Sequence, residues 1–175
     1  MKQLLLAIVV LLGFATASCE QWDSILTFNI EEEENFIIPA SPLIGQIVPV
    51  TPITVDANSS EEFKNNDTRA DLVKDVVLNK LDLQITDPQG ENFDFLKKVE
   101  IYISAENKDE VKVAYLEEVP QGVSSLVLKT TNVKLDQYIK GETYTISTRA
   151  TLAKAVANDV TVKAKMRFKV TANPF

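Results

Sequence analysis

Residues 160–171 alternate without a break. Val160, Val162, Ala164, Met166, Phe168 and Val170 fall on one phase, and Thr161, Lys163, Lys165, Arg167, Lys169 and Thr171 on the other. Successive side chains of an extended strand point to opposite faces, so this period marks a strand half-buried against a core. A helix of the same residues would spread its apolar groups around the whole circumference. The same period recurs upstream in Leu81, Leu83 and Ile85, in Phe93 and Phe95, in Val99, Ile101 and Ile103, in Val111 and Val113, in Leu126 and Leu128, and in Tyr144 and Ile146. Turn signals separate these runs at Asp87-Pro88-Gln89-Gly90, Glu106-Asn107-Lys108-Asp109, Pro120-Gln121-Gly122 and Lys140-Gly141-Glu142. Strands at intervals of about ten residues predict an all-β fold, an antiparallel β-sandwich of immunoglobulin-like or jelly-roll arrangement. A short helical turn is expected near 68–76, where Thr68-x-x-Asp71 has the form of a capping box ahead of Leu72 and Val73.

The first part of the chain is less regular. Ser24–Ile30 reads as a strand, and Glu31-Glu32-Glu33-Glu34 as a solvated turn or bulge rather than a cation site. Pro39, Pro42, Pro49 and Pro52 remove backbone donors from a stretch rich in Ile and Val. The compromise is an extended edge segment lying along the core. The expected organisation is a signal peptide over 1–18, an anchor and N-terminal tether or strand over 19–35, and one sandwich domain over 36–175 whose proline-rich edge segment covers 36–57.

Composition narrows the chemistry. The 175 residues include no histidine, which removes the commonest general base and metal ligand. A Ser-His-Asp or Cys-His site is therefore excluded. One cysteine allows neither an internal disulfide nor a multi-cysteine metal site. Five glycines leave little material for a phosphate-binding loop. A net charge of −7 disfavours nucleic acid. No cofactor is implied, and the chain is not expected to be an enzyme.

The leader and the cysteine belong together. Lys2 precedes an unbroken apolar run from Leu4 to Leu12, followed by small residues at Ala15, Thr16, Ala17 and Ser18. The run is too short to span a bilayer and has the form of a secretory signal. Cleavage after Ala17 would leave Ser18 first and Cys19 as an exposed thiol. Cleavage before Cys19 would free that cysteine for acylation. The stretch Thr16-Ala17-Ser18-Cys19 resembles the lipobox of bacterial lipoproteins, with Thr16 where a leucine is usual. The sole cysteine falls at the leader boundary, which favours the second reading; diacylglycerol plus an N-acyl chain exceeds what stable anchoring needs.

The whole layout resembles small lipoproteins of Bacteroidota-type bacteria that carry a β-sandwich body. That resemblance implies outer-membrane anchoring through Cys19, with the face of the membrane left open by Glu20 and Asp23. Asp23-Ser24-Ile25 matches the O-glycosylation motif of that phylum and marks Ser24 as a candidate for a sugar. Trp22 lies where a ring could rest at the membrane interface.

Two functions follow as expectations. The first is a structural or protein-interaction role in the cell envelope, through an edge strand or through the cationic stripe Lys163, Lys165, Arg167 and Lys169. A neighbouring strand carrying Glu or Asp would neutralise that stripe and make it a solvated face. The second is a surface module for glycan or another small ligand, with Tyr102, on the polar phase of its strand, as a candidate platform.

Overall fold

The computed structural model describes residues 26–56, 59–66 and 68–173. Among the described residues ten strands form two antiparallel sheets. Strands β1 (Thr27–Ile38), β4 (Val73–Asp87), β7 (Ser125–Val127) and β10 (Val160–Ala172) make a four-stranded sheet in the order β1-β10-β4-β7. Strands β2 (Ile47–Pro49), β9 (Thr143–Leu152), β5 (Leu96–Ala105), β6 (Lys108–Leu116) and β8 (Lys129–Thr130) follow one another in the second sheet. Strand β3 (Ile53–Asp56) continues the edge begun by β2, pairing with residues 143–146 of β9 as β2 pairs with 149–151.

The pairings are nested. The first strand pairs with the last, β2 and β3 with β9, β4 with β7, and β5 with β6. A long antiparallel ribbon rolled into two sheets has this topology, so the sandwich is a jelly roll and not immunoglobulin-like. No edge is shared between the sheets, and the chain passes from one to the other after β1, β3, β4, β6, β7 and β9.

The core lies between the sheets. Every residue on the apolar phase of β10 from Val160 to Ala172 is buried. Phe168 sits against Tyr144 of β9 with ring centroids 6.3 Å apart and planes at 79°, the edge-to-face geometry that aromatic quadrupoles prefer. Strand β4 faces β10 with Val76 and Leu78, then with Leu81, Leu83 and Ile85. The change of phase between Leu78 and Leu81 is a bulge: Arg167 faces Lys80 and Phe168 faces Leu78, leaving Asn79 as the extra residue. Burying a side chain such as Leu81 or Phe168 contributes about 1.5–3 kcal/mol.

Three local expectations are corrected. Glu31–Glu34 is not a turn; it is the middle of β1, in register with Arg167, Met166, Lys165 and Ala164. Strand β1 therefore runs on to Ile38, and the boundary placed at residue 36 falls inside it. Thr68–Asp71 does not open a helix. The helix, α1 (Ser59–Asn65), comes earlier and is closed by the Thr68 amide donating to the Phe63 carbonyl at 2.8 Å. That bond spends the amide of Thr68 on ending one helix, and β4 starts at Val73. Phe63, 1% exposed, pins α1 onto Phe28 of β1. A second short helix, α2 (Asp136–Ile139), leads into β9.

Pro49 ends β2 and Pro52 stands just before β3. Both belong to an edge, where an outward-facing donor has no ladder partner to lose. Among the described residues no helix is long and apolar enough to cross a membrane.

Candidate functional site

The cationic stripe is not free. Glu31 and Glu33 lie on the outward phase of β1, directly across from Arg167 and Lys165. Arg167 binds Glu31 through Nε at 2.9 Å and Nη2 at 2.8 Å. Glu33 accepts from Lys165 at 2.7 Å and from Lys163 at 3.2 Å. On the far side of β10, Lys80 and Asp82 of β4 complete the rows and bind each other at 2.5 Å. These bonds hold the Glu33 carboxyl below its usual range, Lys165 first and Lys163 second. The physical reason is cross-strand register: alternate acids meet alternate bases. Lys169, opposite Asn29 and Val77, has no ion-pair partner among the described residues. A shallow hollow of about 230 Å³ over these rows is lined by both signs of charge.

The outer face of the second sheet is similarly occupied. Buried Glu100 takes Lys98 at 3.2 Å and Lys112 more closely, and Lys98 also holds Glu117 at 2.9 Å. Burial pushes the Glu100 carboxyl up, but the bonds from Lys112 and Lys98 outweigh it and leave it below the usual range. Tyr102 does not offer an open platform here. The Arg149 guanidinium lies 4.1 Å from its ring centroid, and Arg149 also binds Glu110. The Lys112 ammonium stands 5.7 Å from the same ring. A cation over a ring face is favourable in itself, and it occupies the surface on which a sugar would stack.

A third group lies on the inward phase of β1, at the edge of its sheet. The inward phase of β1 runs Phe28, Ile30, Glu32, Glu34, Phe36 and Ile38, so two carboxylates interrupt an apolar row. Both are half-buried, and neither has a cation partner among the described residues. Burial raises the Glu32 pKa, and the charges of Glu34 and of Glu62 on α1 raise it further. In the core, Tyr144 of β9 is 2% exposed and its hydroxyl has no hydrogen-bond partner among the described residues. Burial raises the phenol pKa, and the Glu32 and Glu34 charges add to the effect. Among the described residues no three acidic or cysteine side chains come together so as to hold a metal ion.

Sequence inspection missed this group. The signal was parity: Ile30, Phe36 and Ile38 share a phase, and Glu32 and Glu34 lie on it. Cys19, Ser24 and Trp22 lie outside the described residues.

The architecture places the chain among antiparallel jelly-roll β-sandwiches. Neither a family model nor a curated sequence matches it. Among solved structures it is similar to a decameric BFDV capsid protein, at 8% identity and TM-score 0.35, covering 84% of this chain and 99% of that one. It is also similar to the Desmodium yellow mottle tymovirus structure, at 7% identity and TM-score 0.27, covering 85% and 90%. A turnip yellow mosaic virus structure aligns at 9% identity and TM-score 0.28, covering 83% and 95%.

Proposed function

We propose that this chain is a lipid-anchored protein of the bacterial cell envelope, held in the outer membrane through Cys19, with a structural or protein-interaction role and no catalysis. One observation carries the reading: the only cysteine stands directly after Thr16-Ala17-Ser18, at the end of a secretory leader. A thiol kept there and nowhere else is best explained by its covalent use. The chain carries no histidine to activate a nucleophile. An acylated Cys19 would leave only a short tether before β1, so the sandwich would stand close to the bilayer surface.

Intact-mass measurement of the mature protein from a Gram-negative host tests the anchor. The expected product begins at Cys19 and carries diacylglycerol and an N-acyl chain, and Cys19→Ser moves the protein out of the membrane fraction. A mature chain beginning at Ser18 with an unmodified thiol would overturn the reading.

A further inference from the structure

The β1 edge of the sandwich holds three features that the fold itself does not use. Around Glu32 and Glu34, strand β1 is neighboured by β10 on one side, and no described strand lies on the other. Its inward face carries Glu32 and Glu34 without a cation, although Glu31 and Glu33 one residue away are paired. The Tyr144 hydroxyl is buried, feels the Glu32 and Glu34 charges and has no hydrogen-bond partner among the described residues.

We propose that a basic, extended segment of a partner protein docks here, adding a strand to the free edge of β1 and inserting a lysine or arginine between Glu32 and Glu34. The inserted cation would donate to both carboxylates and to the Tyr144 oxygen, which is the satisfaction each of these groups lacks. Glu62 on α1, whose charge is felt at Glu32, would add to the attraction. Strand addition supplies main-chain hydrogen bonds, and alternate side chains supply selectivity.

The chemistry favours an organic cation over a metal ion. A calcium site draws six or more oxygens to within about 2.6 Å of one point, and the described carboxylates do not converge in that way. An ammonium or guanidinium group bridges acceptors that stand farther apart. Inward charges on an edge strand also repel neutral and acidic strands. A basic strand is the one kind they admit, so attraction and exclusion come from the same two residues. The inference rests on the interaction reading above and names the chemistry of the partner.

The test uses the full chain purified in detergent and a dye-labelled, capped peptide with lysine at alternate positions and threonine or valine between. Saturable binding by fluorescence anisotropy is expected, together with slowed hydrogen exchange of the β1 amides. Glu32→Gln and Glu34→Gln, singly and together, should each weaken binding, the pair by about tenfold or more. Tyr144→Phe should weaken it severalfold, and Glu117→Gln, on the outer face of the other sheet, should leave it unchanged. The glutamine variants remove mutual repulsion, and a thermal melt confirms that they fold.

Equal binding of a peptide with glutamate in place of lysine would overturn the proposal. So would binding insensitive to Glu32 and Glu34, or no binding at millimolar peptide, which would leave the carboxylates as guards of the edge. Calcium binding lost in the same glutamine variants would replace the proposal with a metal site. The outcome is separable from the anchor: an unacylated chain would still bind the peptide, and an acylated Cys19 would survive failure of the peptide.

Discussion

Replacing Tyr144 by phenylalanine should stabilise the protein, the reverse of what most core substitutions do. The hydroxyl is buried without a hydrogen-bond partner. Such a group carries an uncompensated desolvation cost of about 1–3 kcal/mol. Phenylalanine keeps the ring and so keeps the edge-to-face contact with Phe168, whose centroid is 6.3 Å away. The lost oxygen leaves a void of roughly 10 Å³, which costs about 0.2 kcal/mol. The net gain is then about 1–3 kcal/mol, and for a domain of this size the melting temperature should rise by about 2–11 °C. Urea unfolding followed by far-UV circular dichroism measures it directly; the midpoint should rise with no change of slope. With saturating lysine peptide the gap should narrow by about 1 kcal/mol, the equivalent of a severalfold difference in affinity, because the wild type alone gains the bond to the hydroxyl. A variant less stable than the wild type by more than about 0.5 kcal/mol would show that the hydroxyl is satisfied in solution. The account of the β1 edge would then lose its base.

Phe168→Ala should cost about 3–5 kcal/mol in the same unfolding assay, whereas Ile37→Ala, at a site 51% exposed, should stay within about 0.5 kcal/mol. Stability should respond to pH in two opposed ways. The Glu32 pKa is raised above its ordinary 4.5, so its penalty is full at neutral pH and is relieved as pH falls through the folded value. Glu33, Glu100 and Asp75 are depressed, so the stability they add is present above their ordinary values and lost as pH falls through the lower folded ones. The urea midpoint should therefore rise on mild acidification and fall on stronger acidification, and Glu32→Gln should abolish only the rise. Glu31→Arg should lower stability by less than about 1 kcal/mol, Arg167→Glu in the same chain should restore it, and high salt should shrink the difference.

Local period and phase were visible along the chain, but partner choice was not. The alternation of 160–171 places every inward residue of β10 correctly, and the slip between Leu78 and Leu81 is itself the bulge. Pairing is set by packing between segments far apart in sequence, so immunoglobulin-like and jelly-roll arrangements stayed equally open. The stripe on β10 stayed open between a solvated face and a docking surface for the same reason. Its neutralising acids lie 130 residues upstream of Lys163, in a run that resembled a turn because four like charges usually stay in water. The register with β10 explains why they do not: alternate members meet cations, and the other two point inward at the sandwich edge. The helix was misplaced because Thr68 and Asp71 have capping spacing while the Thr68 amide is already bonded to Phe63.

The nested pairing also sets an order of events. Strand β10 follows the other described strands in the chain and stands between β1 and β4 in the middle of its sheet. Until β10 has emerged, β1 has nowhere to lie and β4 has only the short β7 beside it. Closing the sheet means closing nearly the whole chain into one loop, the slow kind of contact to form. A ribosome that still grips β10 therefore holds the entire four-stranded layer open. The acidic middle of β1 keeps that waiting strand in water rather than in an aggregate.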